Sequence, residues 1–360
     1  MKKLLLSFVV LPGALATAQV GINTDTPKAT LDISAKDNQE GGDLRIEGVK
    51  EGKSTQWLLV WDEKDQKVKR RSLSDLKYDM ILDKGRINYI RDKQPDRADE
   101  IINKIKKCAP ENILFDKLFG VDYIEGKHDF VYCATLVSVG SYNRTWLNLN
   151  LGAEYADINS SHFDPTVNKT GEAAHGDDRT YGSLYQWQRA SDGHEFRDSE
   201  TTTEPAPSWT WAYATHHGYL QGKFITGDAN WVKNTREAPD LKLWGAVGVN
   251  DPCPSGYHVP TEQEWDKFHQ AVTGSLYHVD TNQMWTQTKL PNLAAAGSRS
   301  YSDGSIEIDE KDPYGYYWSN NNTIDLKRVN SFIFNNENSS IVTNSYRLAE
   351  GYSVRCIKNN

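Results

Sequence analysis

The sequence predicts an α+β fold, irregular and loop-rich over most of its length and preceded by a small β module. Three observations carry that prediction. Of 11 Trp in 360 residues, nine lie between Trp146 and Trp318, with Gly, Asn, Asp and Ser filling the gaps and few long periodic stretches between them. Such a texture predicts short strands and turns wrapped on an aromatic core. One strong helix signal stands inside it, where Pro260-Thr261 followed by Glu264 forms a capping-box start and Trp265, Phe268 and Val272 fall on one helical face. Near the amino terminus apolar and polar residues alternate with strand periodicity.

In chain order, Lys2 and Lys3, the apolar run Leu4 to Leu15 and Ala16-Thr17-Ala18 have the three regions of a secretory signal peptide, assigned to residues 1–18 with cleavage expected after Ala18. Residues 19–76 are expected to form the β module. Val20, Ile22, Leu31 and Ile33 alternate around Thr26-Pro27, Leu44 and Ile46 alternate again, and Trp57 to Trp61 and Val68 to Leu73 flank a polar reversal. The segment VGINTDTPKATLDI resembles the opening of many bacterial surface and tail-fibre-like proteins, which implies an elongated, sometimes trimeric base; an ordinary pair of hairpins explains it equally. Residues 77–107 are expected to be a helical connector. Its clearest helix spans Asp96 to Lys107 after Pro95, with Ile101, Ile102 and Ile105 as the one apolar stripe.

The net charge of -8 favours solubility and argues against duplex nucleic acid or an anionic membrane as partner. After the amino-terminal run no segment approaches the ~20 apolar residues of a membrane span. The four cysteines, Cys108, Cys133, Cys253 and Cys356, are even in number and lack CxxC spacing, so disulfides are favoured over zinc. Of three possible pairings, Cys108 with Cys133 and Cys253 with Cys356 are favoured, because each brackets one local segment.

Several blocks of residues 108–360 together resemble one family. FVYCATLVSVGSYNRTWLNLNLGAEY, TYGSLYQWQRA, NDPCPSGYHVPTEQEW, LPNLAAAGSRSYSDGSI, GYYWSNN and YSVRCIK are similar, in order, to the Fibrobacter succinogenes major paralogous domain. The resemblance implies a C-type lectin-like, formylglycine-generating-enzyme-like fold, exported or displayed by bacteria, without an established chemistry. Ser183 departs from the pattern, standing where a basic residue is usual. Formylglycine-generating enzymes, as the resemblance implies, hold copper(I) with two cysteines spaced five apart in a carboxy-terminal block. Here Gly351 occupies the first of those positions, so that activity is disfavoured.

The remaining candidates lie in loops. The long stretch between Arg189 and Trp244 carries Trp209, Trp211, Tyr213, His216 and His217, expected to present an exposed aromatic patch for a glycan or surface protein. Trp187, Trp265 and Trp318 are expected in the core. No metal is assigned, because adjacent histidines in an extended chain point to opposite sides and no three or four ligands converge. Calcium enters only by fold analogy, and Asp303-Gly304 and Asp309 to Asp312 are expected to be turns. The expected function is that of an exported, non-catalytic recognition protein at the cell surface. Two alternatives stand beside it: a structural subunit of a surface fibre, with a homo-oligomer formed through the amino-terminal module, and an enzyme whose first suspects are His175, Asp177 and Asp178.

Overall fold

The computed structural model describes residues 20–22, 31–33, 57–64, 66–121, 127–209, 222–233, 243–245, 248–322, 328–345 and 347–360. The chain divides into two compact units, residues 1–55 and 56–360. In the first, β1 (Val20–Ile22) and β2 (Leu31–Ile33) pair in parallel, Val20 opposite Leu31 and Ile22 opposite Ile33. A hairpin needs antiparallel strands, and this pair is parallel; the turn expected at Thr26-Pro27 lies outside the described residues. The signal segment at 1–18 and the alternation at Leu44 and Ile46 lie outside the described residues.

The second unit opens with the antiparallel hairpin of β3 (Trp57–Asp62) and β4 (Lys67–Ser72). Ser72 then caps α1 (Leu73–Ile81) by accepting from the Asp75 amide, and Asp83 caps α2 (Lys84–Lys93) through the Arg86 amide. The third helix, α3 (Ala98–Ile105), is shorter than the sequence implies and is preceded by two others. Its stripe of Ile101, Ile102 and Ile105 joins Ile90, Ile113, Val131, Ile158 and Phe163 in one buried cluster, so these helices pack on the sheet of the same unit.

That sheet contains β5 (Ile113–Phe115), β6 (Val131–Val139) and β7 (Tyr142–Leu147), joined in order by antiparallel ladders. Gly140, at φ 58, makes the tight reversal between β6 and β7. Beyond β7 the elements are short: α4 (Glu172–His175), β8 (Tyr185–Gln186), β9 (Thr201–Thr202), β10 (Phe224–Ile225) and β11 (Tyr257–His258). Thr261 and Glu264 close both arms of the capping box on α5 (Glu262–Thr273), and Gly274 ends it in the left-handed conformation.

After α6 (Gln283–Thr286), β12 (Ser298–Arg299) and β13 (Ile306–Glu307), three longer strands, β14 (Gly315–Asn322), β15 (Arg328–Phe334) and β16 (Ser339–Ser345), form an antiparallel sheet. Two short strands complete the chain. β17 (Gly351–Tyr352) lies between β12 and β8, and β18 (Ile357–Lys358) inserts between β11 and β7. The result is a mixed α+β fold with mostly antiparallel sheets.

Two aromatic cores lie between these layers. Trp187, Trp231, Trp244 and Trp318 anchor one, and Trp146, Trp265, Phe268 and Phe332 the other, with Trp265 and Phe332 stacked at 4.8 Å. Disulfides join Cys108 to Cys133 and Cys253 to Cys356, the second spanning 103 positions. The disulfides, and the lack among the described residues of a helix long and apolar enough to cross a membrane, are compatible with an extracellular protein.

Candidate ligand-binding site

Immediately after β8 the chain Gln186 to Glu195 folds onto its own charges. Gln188 and Gly193 take positive φ, and within this tight course Asp192 accepts from the His194 amide. The Arg189 guanidinium clasps Asp192 Oδ2 through Nε and a terminal nitrogen at 3.2 and 2.7 Å. Its other terminal nitrogen donates to Gln186 Oε1 and the Lys223 carbonyl. The Gln186 amide donates to His194 Nε2 at 3.1 Å, which places the ring proton on Nδ1. Nδ1 then donates to Asp192 Oδ1 at 2.7 Å and lies 3.1 Å from Glu195 Oε2.

The chain of charges continues into a neighbouring loop. His128, 1% exposed, brings Nε2 to 2.8 Å from Glu195 Oε1 and Nδ1 to 3.4 Å from Asp116 Oδ1. Neither approach has the angle of a hydrogen bond, so this is a charge contact rather than a directed one. Burial alone would lower the His128 pKa, but the two carboxylates outweigh it and push it up to about 10. For Glu195 burial is outweighed by His128 and His194, and its pKa lies well below the usual range; Arg189 and His194 do the same for Asp192.

Asp192, His194 and Glu195 each bring a potential ligand atom within 4.8 Å of the others. The donor set does not suit a metal. A cation on His194 Nδ1 would force the proton onto Nε2, against the Gln186 N–H that already points there.

Over this network opens a cavity of about 650 Å³. The rings of His128, Phe130 and Phe196 lie along it, His128 and Phe196 at 5.2 Å between centroids. Five carboxylates line it, Asp192 of the floor and Glu154, Asp157, Asp198 and Glu200 on the walls, against Lys127 and Lys223. Lys223 Nζ is 3.4 Å from Glu200, and Glu154 accepts from Ser160 and lies 2.9 Å from His162 Nδ1. Asp157 accepts from the Asn159 amide, and burial pushes its pKa up to about 6.

Glycines let the wall loops pack closely. At Gly152, φ 74, a Cβ would fall 2.0 Å from Ser183 Oγ, which puts the departure at Ser183 directly behind the cavity wall. A Cβ on Gly193 would stand 3.3 Å from Gly222 Cα, so two wall loops pass backbone to backbone.

The residues singled out in the sequence fare differently. Trp209 is not part of an exposed patch: it is 8% exposed and packs edge-on against Trp187 and Trp231, at 6.4 and 5.1 Å between centroids. Three indoles in edge-to-face contact bury more apolar area than a surface loop would. Trp211, Tyr213, His216 and His217 lie outside the described residues.

His175 is a packing residue. It stacks on Trp285 at 3.8 Å, accepts from the Ala295 amide, and burial lowers its pKa. Asp177 is held by Tyr155, Lys169 and Arg179, and Asp178 is exposed. Asp303 and Asp309 close turns by accepting from Ser305 and Lys311. Sequence reasoning missed Asp116, His128, Asp192, His194 and Glu195; the signal was the density of Arg, Asp, His and Glu in QRASDGHE, directly after a block already singled out.

Residues 141–358 match the family model described as the Fibrobacter succinogenes major domain. No curated protein and no solved structure matches the chain.

Proposed function

The chain belongs to the Fibrobacter succinogenes major domain family, and from that premise we propose that it is an exported, non-catalytic recognition protein that binds a glycan in the cavity above His128. One observation carries this proposal: a cavity of about 650 Å³ combines aromatic rings with several carboxylates over a floor fixed by buried charges. Carboxylates accept from sugar hydroxyls, and aromatic rings pack on the apolar face of a pyranose. A floor whose charges already satisfy one another is rigid and leaves the rim groups to the ligand.

That formylglycine-generating chemistry is lacking is supported by Cys356 being spent in a disulfide and by Gly351, where a Cβ would stand 2.9 Å from both Arg299 Cβ and Phe224 Cε2. The C-type lectin-like fold is supported by β18, which pairs with β7 and β11 and so brings distant ends of the domain together. Export is supported by the two disulfides and the signal-like residues 1–18.

The test is a glycan array on the mature protein, run with and without EDTA and followed by calorimetry on the strongest hit. Phe196→Ala should abolish retention without lowering the melting temperature by more than a few degrees. Unchanged retention sinks the assignment of this cavity, and capture of protein ligands alone sinks the glycan.

A second proposal, a subunit of a surface assembly, is favoured by one observation. Leu59 and Trp61 on β3 and Val68 on β4 share a hairpin face at 75%, 60% and 58% exposure. Concentration-dependent association in sedimentation, lost in Leu59→Lys/Trp61→Lys, would support it; a monomer at all concentrations would reject it.

A further inference from the structure

We propose that the ligand of this cavity carries a primary ammonium group on a hydroxylated ring, with Asp157 and Glu154 as its acceptors; this rests on the glycan-binding assignment of the same cavity. The charge balance of the walls is the first ground. Lys223 is matched by Glu200 and the floor's Asp192 by Arg189, which leaves Glu154, Asp157 and Asp198 against Lys127 on the walls. A neutral sugar does not offset that excess, whereas an ammonium supplies three donors and a positive charge.

The floor is the second ground. The positive charge of His128 would repel a cation if it faced the cavity unscreened, but Asp116 and Glu195 enclose it from both sides. Both of its ring nitrogens are buried, Nε2 against Glu195 and Nδ1 against Asp116, so its charge is offset beneath the cavity that the residue lines. Phe196, half-buried on the same wall and packed against Phe130, adds an aromatic ring, and a cation near an aromatic face is attracted rather than repelled.

Acceptor geometry is the third. Asp157 accepts from the backbone amide and the side chain of Asn159, and Glu154 accepts from Ser160 and the exposed His162. No lysine or arginine is recorded in a salt bridge with either carboxylate among the described residues, so both can still receive charge-assisted bonds. The groups facing Asp157 are Glu154 from its own turn, Asp129 from the strand bridge at Phe130, and the amide of Asn159. All the charged ones are carboxylates, so protonating Asp157 weakens the site and an ammonium strengthens its ionised form.

Calorimetry of the disulfide-bonded protein at pH 7 with β-linked glucosamine tetramer, the N-acetylated tetramer and tetralysine separates the outcomes. The free-amine sugar should bind at least about tenfold more tightly than its acetylated counterpart. Asp157→Asn and, separately, the surface change Glu154→Gln should remove that preference while leaving the melting temperature in place, and wild-type affinity for the amine should fall between pH 7 and 5. Equal affinity for the two sugars overturns ammonium selection but leaves glycan binding standing. Binding of tetralysine alone overturns the hydroxylated ring. Failure of both sugars here and of every glycan on the array overturns the binding assignment itself.

Discussion

Arg355 donates its Nε to Asn150 Oδ1 at 3.0 Å in a site with no solvent access and no carboxylate. Its remaining nitrogens donate to the carbonyls of Leu147, Pro291 and Asn292. Burial lowers its pKa to about 10, still high enough for the cation to persist at neutral pH. The guanidinium therefore ties three strands of chain together through carbonyl dipoles. Arg355→Lys cannot reproduce the fork and leaves carbonyls unsatisfied, so it should destabilise by about 2–4 kcal/mol in urea unfolding with the disulfides intact. A loss within experimental error would show that water replaces the fork.

The two disulfides should contribute unequally. In the chain-entropy account, removing Cys253–Cys356 as the double serine variant should cost about 4–5 kcal/mol and removing Cys108–Cys133 about 3–4 kcal/mol, because the loops differ fourfold in separation. Equal losses would mean that packing at the sulfurs, rather than loop closure, sets their worth.

His128 makes stability depend on alkaline pH. Its folded pKa of about 10 exceeds the ordinary 6.5, so its contribution is complete below pH 6.5 and is lost as pH rises toward 10. Melting temperature followed from pH 6.5 to 10 should fall in the wild type and more shallowly in His128→Gln. At pH 7 that variant should be less stable by about 3–5 kcal/mol, since it leaves Asp116 and Glu195 without a buried counter-charge.

Gly351→Cys restores the sulfur spacing expected of a copper(I) site but not the site. The new Cβ would meet Arg299 and Phe224 at 2.9 Å, so the variant should lose about 1–3 kcal/mol of stability. It should gain no copper(I) affinity in chelator competition, because Cys356 is already bonded to Cys253. Tight copper binding by the oxidised variant would reopen the oxidase possibility.

Much of the scaffold was legible from local pattern. Thr261, Glu264 and the Trp265/Phe268 stripe announce α5 because capping and periodicity act within a few residues. Trp187, Trp265 and Trp318 are buried as large apolar rings must be in a loop-rich domain. The charge network was not legible. Arg189, Asp192, His194 and Glu195 look like a solvated turn, and only the fold brings Asp116 and His128, far back in the chain, against them. Trp209 misled for the opposite reason. Its neighbours in sequence are polar, while its neighbours in space, Trp187 and Trp231, come from elsewhere.

The place of β18 between β7 and β11 has a consequence for assembly. A sheet whose inner member is supplied by residues 357–358 stays unfinished while everything before them is being synthesised, so β11 cannot join the β5–β7 ladder until those residues emerge. The same order leaves Cys253 without its disulfide partner until Cys356 has been made.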